Sequence, residues 1–247
     1  IEQERGMARY GKSKENRPNP IIGMGLFMDA DGFPLSFDLH DGNLNEQKTL
    51  KKHEQRIISD FDCSKFVYCS DSGLGSKKNR ILNATGGRAY VITQSLKKLK
   101  KEVRDTCLST TQFRKIGSNR FIDINDLDED DPEVFDSVYY KEVPYDSKTL
   151  SETLIVTYSP KYKNYQRSIR EGQIERARKM MTESGKPKKN RKNPNDPARF
   201  LKKQAFTQNG ELAEEELWQI NEEAIETEAQ YDGFYAVATN LNDKATE

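Results

Sequence analysis

The residues of this sequence best able to do chemistry are an aspartate and the glycine-containing turn that follows it. An unbroken apolar run over residues 66–69 leads into Ser70 and Asp71, and the turn Ser72-Gly73-Leu74-Gly75-Ser76 comes next. Such a run predicts a short strand buried on both faces of an α/β sheet. Ligands bind at the carboxyl ends of strands in such sheets, where a carboxylate can hold a divalent cation. Asp71 is therefore the first candidate for a metal ligand.

The same residue has a simpler interpretation. An aspartate at the end of a strand often caps a turn with the residues after it, here Ser72 and Gly73. One carboxylate is not an active site. The pattern alone leaves both interpretations open.

The segments around Asp71 predict an α/β core up to about residue 95. The apolar run 21–28, the Asp31-Gly32 turn and the alternating run 34–39 predict a β-hairpin. Asn45 is placed as the N-cap of a helix whose apolar stripe includes Leu50, Ile57 and Ile58. After the strand before Asp71, Ser76 caps a helix over 77–84, which Gly86 and Gly87 end, and residues 88–93 form another strand.

Beyond residue 95 the character of the sequence changes. Residues 138–143 and 153–158 predict two strands, and residues 161–183 predict one long basic helix. The apolar face of that helix is expected at Tyr162, Tyr165, Ile169, Ala177 and Met180. An exposed loop over 185–195, an acidic helix over 214–228 that carries Trp218, and a strand over 233–239 complete the chain.

Composition excludes several classes of protein. The 247 residues contain three Cys and two His without the paired spacing of a zinc site. No window is apolar enough for a membrane span, and the sequence carries no signal peptide. These features predict a reduced, cytoplasmic protein that does not associate with a membrane.

The net charge of zero hides four blocks of alternating sign. Residues 77–120 carry a net +10, residues 121–160 carry −9, residues 161–206 carry +11 and residues 207–247 carry −10. Basic blocks of this size favour a surface that faces phosphate groups. Pairing of opposite blocks with one another, or solvation of separate faces, explains the pattern almost as well.

Five motifs, taken in order, resemble one family. They are Tyr10-Gly11-Lys12-Ser13-Lys14-Glu15-Asn16-Arg17-Pro18, Gly32-Phe33-Pro34-Leu35, Gly42-Asn43 with Glu46 and Thr49, Asp71-Ser72-Gly73-Leu74, and Tyr231-Asp232-Gly233-Phe234-Tyr235-Ala236-Val237-Ala238-Thr239-Asn240. This ordered set resembles the insertion-sequence DDE transposases of the insertion-sequence-four superfamily. The resemblance runs from about residue 8 to the end of the chain.

The resemblance implies an α/β fold with an RNase H-like mixed sheet, flanking helices and an α+β insertion domain. On this basis residues 1–95 are part of the catalytic core, residues 96–232 are the inserted domain with its basic helix 161–183, and residues 233–247 lead back to the core. It also implies two Mg²⁺ ions held by Asp, Asp and Glu, with Asp71 as the second Asp. The complete enzyme would cut DNA at transposon ends and join them to a target.

The other two acids of the triad are not found in this sequence. The resemblance places the first on a strand upstream of Tyr10, and the third on a helix with a Tyr-x-x-Arg-x-x-x-Glu pattern. None of the 11 Tyr has Arg at the third position after it. We therefore expect an internal piece of a longer protein that lacks its first core strand and is inactive alone. Asp29, Asp31, Asp38, Glu171 and Glu175 are not expected to replace the missing ligands.

The basic helix and the loop after it are the expected DNA-binding surface. Their contacts would be made to the phosphate backbone, with strong salt dependence and little sequence information. The candidate residues are Arg167, Arg170, Arg178, Lys188, Lys189, Arg191 and Lys192. A solvated helix is an equally good interpretation of this segment.

Two alternatives to an active transposase remain at this point. One is a non-catalytic DNA-binding remnant of a transposase. The other is a soluble interaction protein whose charge blocks pair internally, and it predicts no DNA binding even at low salt. For a transposase, the expected partners are DNA at the transposon ends and target, and further copies of the protein assembled on it.

Overall fold

The computed structural model describes residues 3–11, 19–62, 65–184, 195–205 and 216–241. These residues form a mixed α/β protein. The chain divides into two compact units, of which the first comprises residues 1–98, 142–155 and 236–247, and the second comprises residues 99–141 and 156–235. Residues 142–155 belong to the first unit. No described helix is long and apolar enough to cross a membrane.

The helices and strands follow the sequence in this order: β1 (Ile22–Met28), β2 (Pro34–Asp41), α1 (Leu50–Phe61), β3 (Val67–Ser70), α2 (Lys77–Asn83), β4 (Ala89–Thr93), α3 (Lys101–Leu108), β5 (Arg114–Lys115), α4 (Pro132–Phe135), β6 (Tyr139–Pro144), β7 (Thr153–Tyr158), α5 (Pro160–Ser184), β8 (Leu201–Ala205), β9 (Glu216–Ile220), α6 (Glu222–Ala229) and β10 (Phe234–Thr239). One six-stranded sheet has the order β3-β4-β10-β7-β6-β5, and two further sheets have two strands each. β3 is parallel to β4, whereas β10 is antiparallel to β4.

Local signals account for the start of several elements. Ser76 accepts a hydrogen bond from the Asn79 N–H and begins α2, as expected. Asn45 caps only a single 3₁₀ turn, and α1 starts after Thr49. The hairpin is confirmed as β1 and β2, which pair in an antiparallel sheet.

The polar side of the hairpin is the one that packs on α1. Phe27 and His53 meet edge to face, with ring centroids 4.5 Å apart, and His53 Nε2 lies 3.3 Å from Ser36 Oγ. A Cβ on Gly25 would lie 3.2 Å from His53 Nδ1, so glycine leaves room for the ring. Burial lowers the pKa of His53, although the charge of Asp38 acts against that shift.

The opposite side of the hairpin is apolar and exposed. Its seven large side chains have exposed fractions from 38% to 64%, and they are Ile22, Met24, Leu26, Met28, Leu35, Phe37 and Leu39. Contiguous exposed apolar patches on a protein surface mark sites of interaction, whereas single exposed apolar side chains need no explanation. This face is therefore a strong candidate for contact with further protein.

We expect this apolar face to dominate the binding of a hydrophobic dye. Replacing Met24 and Phe37 with Lys should lower the fluorescence of bound 1-anilinonaphthalene-8-sulfonate severalfold, because both side chains are more than half exposed. Phe121→Lys is the control, since Phe121 is 65% exposed but lies outside the face. Equal fluorescence from the double variant and the control would show that the face is covered in solution.

The strand before Asp71 is buried on one face only. Tyr68 packs in a core with Leu50, Tyr90 and Ile92, but Val67 is 49% exposed. The expectation of burial on both faces is wrong for β3. β3 lies at the edge of the six-stranded sheet, and Leu50 of α1 packs on the face that carries Tyr68.

One expectation for the second unit is also corrected. The segment with Trp218 is not helical: it forms β9, which pairs with β8, and the helix α6 starts only at Glu222. In β9, Trp218 packs against a core of Ala177, Phe200 and Leu201. A strand at this position buries the Trp218 side chain, and that burial outweighs the helix propensity of the surrounding glutamates.

Candidate metal and DNA-binding sites

Asp71 lies directly after β3 at the start of an exposed turn. Its Oδ1 accepts the Gly73 N–H at 2.8 Å, as in the turn-capping interpretation. A Cβ at position 73 would lie 2.9 Å from Oδ1, so a larger residue there would displace the Asp71 carboxylate from this position. Oδ2 has no hydrogen-bond partner among the described residues. One carboxylate oxygen thus shapes the turn while the other stays open to solvent.

Side chains from neighbouring elements hold the turn after Asp71. Gln47 Nε2 donates to the Gly73 carbonyl at 2.9 Å, and Asn79 Nδ2 donates to the Leu74 carbonyl at 2.8 Å. Arg80 Nε donates to the Gly75 carbonyl at 3.1 Å. Three carbonyls in a row are therefore fixed by side chains, which restricts the position of the Asp71 carboxylate.

Arg80 connects this turn to a buried polar network. Its Nη1 lies 2.8 Å from Glu152 Oε1, and its Nη2 donates to Gln94 Oε1 at 2.7 Å. The Tyr90 hydroxyl donates to the same Glu152 oxygen at 2.7 Å, and burial, together with this bond, raises the pKa of Tyr90. The guanidinium is thus paired and hydrogen-bonded, as a buried charge must be.

The described residues do not assemble a two-metal site. No group of three or more His, Cys, Asp or Glu side chains in the described ranges is arranged to hold a metal ion. Asp29 Oδ1 accepts the N–H groups of Asp31 and Phe33, as expected of a turn former. Asp71 alone supplies a single carboxylate, so the Mg²⁺ pair that the resemblance implies does not fit these residues by themselves.

The long basic helix is confirmed, but only part of its expected apolar face is buried. α5 runs from Pro160 to Ser184; Ala177 is buried and Met180 packs against the same core, whereas Tyr162, Tyr165 and Ile169 are exposed. Beyond Pro160, the buried positions of α5 are Arg170, Gln173 and Ala177. They follow helical spacing along one side, which packs on residues of the second unit through polar as well as apolar contacts.

Arg170 is committed to an ion pair and is not available to DNA. Its Nη1 and Nη2 contact Asp232 Oδ1 and Oδ2 at 2.6 and 2.5 Å, a bidentate arrangement with both side chains about nine-tenths buried. The hydrogen bonds to Asp232 raise the pKa of Arg170. Sequence reasoning missed this pair, although Asp232 stands in one of the motifs on which the resemblance rests.

The other candidates for DNA contact divide into two groups. Arg167 and Arg178 are exposed on α5, and Arg178 Nη1 lies 3.8 Å from Glu175. A pair so exposed contributes little to stability, so it leaves the guanidinium accessible. Lys188, Lys189, Arg191 and Lys192, and the expected loop that contains them, lie outside the described residues.

Arg167 also borders a cleft of about 610 Å³ in the second unit. Tyr158 and Phe234 line the cleft together with seven charged residues. The cations are Lys163, Arg167 and Arg170, and the carboxylates are Asp128, Glu129, Asp130 and Asp232. Lys163 Nζ lies 2.8 Å from Glu129 Oε1, which also accepts the Tyr158 hydroxyl at 2.6 Å. Burial raises the pKa of Glu129, but these hydrogen bonds outweigh it and the pKa is lowered overall. Because carboxylates outnumber cations, the cleft does not favour phosphate.

The fold and these sites define a mixed α/β protein with a strand-end aspartate and a basic helix. No family model matches the sequence, and neither a curated protein nor a solved structure is significantly similar to it.

Proposed function

We propose that this chain is part of a DDE transposase, with Asp71 as one of the metal ligands of the complete enzyme. The proposal depends on the ordered motifs from Tyr10 to Asn240 and on one structural observation that agrees with them. Asp71 lies at the carboxyl end of β3, which is parallel to β4, and one of its oxygens has no partner among the described residues. This is where an α/β sheet binds ligands.

The edge of the sheet beside Asp71 is compatible with an added strand. Among the described strands β3 pairs only with β4, and the hairpin of β1 and β2 forms a separate sheet. A strand that carries the first Asp of the triad would find an unpaired edge at β3. The exposed apolar face of the hairpin likewise suits further protein. Both features favour a larger catalytic domain.

A test of this proposal is to read the gene about a hundred codons to either side, a domain-scale margin. The transposase proposal expects an in-frame strand ending in Asp upstream and a helix with Tyr-x-x-Arg-x-x-x-Glu downstream. Stop codons or unrelated sequence would remove the partners of Asp71, and the non-catalytic remnant would then be the better interpretation.

The internal-pairing alternative is favoured by a specific set of contacts. Four ion pairs in the second unit join the basic block to the two acidic blocks that flank it, and they are Lys161–Asp136, Lys163–Glu129, Arg170–Asp232 and Arg199–Glu228. Part of the charge alternation therefore stabilises the fold itself. The proposal of DNA binding rests on the cations outside these pairs.

We expect Arg167→Gln with Arg178→Gln to weaken binding to a fluorescent DNA duplex. The slope of log affinity against log salt should fall by about two, because each lost phosphate contact removes roughly one unit. The measurement is fluorescence anisotropy over a range of salt concentrations. Lys51→Gln with Lys52→Gln is the matched control, with the same loss of charge from exposed positions on α1. If the wild-type chain does not bind at low salt, the interaction-protein alternative is correct.

A further inference from the structure

The helix α1 carries a glutamate that has almost no contact with solvent. Glu54 is 1% exposed, and its Oε1 accepts a hydrogen bond from Asn83 Nδ2 at 2.8 Å. Its second oxygen, Oε2, is buried without a hydrogen-bond partner. Among the described residues no Lys, Arg or His forms an ion pair with Glu54. A buried carboxylate with a single neutral donor is an unusual and costly arrangement.

Asn83, the hydrogen-bond partner of Glu54, also has a buried acceptor without a donor. Asn83 Nδ2 lies 3.2 Å from the carbonyl oxygen of Asn79 as well as 2.8 Å from Glu54. Since a carbonyl oxygen can only accept, this contact fixes the orientation of the amide. Asn83 Oδ1 is then an acceptor, and it too is buried without a partner. Glu54 Oε2 and Asn83 Oδ1 are thus acceptors on two hydrogen-bonded side chains, and neither accepts a hydrogen bond from a described residue.

A single proton on Glu54 Oε2 would give both buried acceptors, Glu54 Oε2 and Asn83 Oδ1, a hydrogen bond. We propose that Glu54 is a neutral carboxylic acid whose Oε2–H donates to Asn83 Oδ1. The acid and the amide then exchange two hydrogen bonds and join α1 to the last residue of α2. The alternative is an ionised carboxylate that leaves two buried acceptors unsatisfied, each at the full cost of its desolvation.

The groups that face Glu54 from neighbouring elements agree with a bound proton. Burial is the largest influence and raises the pKa of Glu54, while the Asn83 hydrogen bond and the charge of Arg88 lower it less. Arg88, just before β4, directs Nη2 to the Leu82 carbonyl at 2.6 Å and to Thr85 Oγ1 at 2.9 Å. Its Nε is buried and forms no hydrogen bond with Glu54 or with any other described residue. From β3 comes Tyr68, whose pKa is raised to about 12, so its hydroxyl is neutral. His53, adjacent on α1, has a lowered pKa and adds little positive charge.

The bound proton makes the packing of α1 on α2 dependent on pH. Below the ordinary Glu pKa of 4.5 the carboxyl is protonated in both the folded and the unfolded chain, so its contribution is constant. Above 4.5 the unfolded chain releases the proton and the folded chain keeps it. This contribution to stability therefore declines as pH rises, until the folded pKa is passed. The decline is at most tenfold in the unfolding constant per pH unit.

Glu54→Gln tests the assignment, because glutamine has the shape and hydrogen bonds of the protonated acid. Its Nε2 would donate to Asn83 Oδ1 at any pH. Amide hydrogen exchange in α1 and α2 should show the variant at least as protected as wild type at pH 5. Its relative protection should increase up to tenfold per pH unit above 5. Infrared spectra of wild type at neutral pH should contain a protonated carboxylic acid band that the variant lacks.

Glu152→Gln is the matched control, because Glu152 is also buried but accepts hydrogen bonds from Arg80 and from the Tyr90 hydroxyl. Removing the charge of Glu152 should reduce amide protection at neutral pH, whereas Glu54→Gln should increase it. If Glu54→Gln loses protection as Glu152→Gln does, or fails to fold, then Glu54 is ionised and the proposal is wrong. Absence of the carboxylic acid band from wild type would overturn it without any variant.

Discussion

Asp232→Ala should lower the free energy of unfolding of the second unit by about 3–5 kcal/mol. The substitution leaves the Arg170 guanidinium buried without the carboxylate that accepts both of its hydrogen bonds, at 2.6 and 2.5 Å. The loss combines the missing ion pair with the cost of an uncompensated buried charge. Trp218 is the only tryptophan of the chain and lies in this unit. Its fluorescence during denaturant unfolding therefore reports on the right part of the protein.

Asp136→Ala is the control for this prediction. Asp136 also pairs with a cation on α5, Lys161, at 2.8 Å, but the two side chains are about two-thirds exposed. An exposed pair of this kind contributes roughly 0–1 kcal/mol. If the two variants lose similar stability, the Arg170 pair is not structural. The double variant Arg170→Met with Asp232→Leu should recover most of the loss, since no charge then remains buried.

The sequence predicts best those features whose cause is local. Ser76 and the Asp31-Gly32 turn act within four residues, and both mark elements that the structure confirms. The bounds of α5 likewise match the expected helix to within one residue at each end. The burial of its faces could not be predicted in the same way, because it depends on contacts distant in sequence. Asp232 lies 62 residues after Arg170, and nothing near Arg170 indicates the pair.

Lys141 illustrates the same limit. It occupies an inward position of β6 and is buried, although its residue type predicts exposure. Its Nζ donates to the Thr106 carbonyl at 2.8 Å and to the Ser109 carbonyl at 2.5 Å, at the carboxyl end of α3. Burial lowers the pKa of Lys141 to about 8. The acceptors that make this burial possible are more than 30 residues away in sequence, so only the fold reveals them.

The candidate site was only partly predictable for a related reason. The apolar run before Asp71 correctly placed a strand and an aspartate at its end. It could not show whether a second carboxylate lies beside Asp71, because that depends on which other strand ends meet there. The structure confirms the turn-capping interpretation through one oxygen of Asp71 and leaves the other without a partner among the described residues, where the proposal places a metal ion.

Because the turn uses only one oxygen of Asp71, Asp71→Asn is a sharp test of the proposed function in the complete protein. Asparagine keeps an oxygen that can accept the Gly73 N–H, so the turn should persist and stability should change by less than about 0.5 kcal/mol. The substitution replaces a charged carboxylate with a neutral amide, which is a much weaker ligand for Mg²⁺. We expect Mg²⁺-dependent DNA cleavage to fall on the order of a thousandfold or more.

Asp29→Asn provides the matched control for that experiment. Asp29 also accepts backbone N–H groups through Oδ1, from Asp31 at 3.0 Å and Phe33 at 2.8 Å, in an exposed turn. It loses the same charge in the same kind of local structure, and cleavage should remain within about twofold of wild type, a change of under 0.5 kcal/mol in the activation free energy. Full activity of Asp71→Asn would leave Asp71 with only its turn-forming role, whereas equal loss in both variants would indicate a general effect of charge.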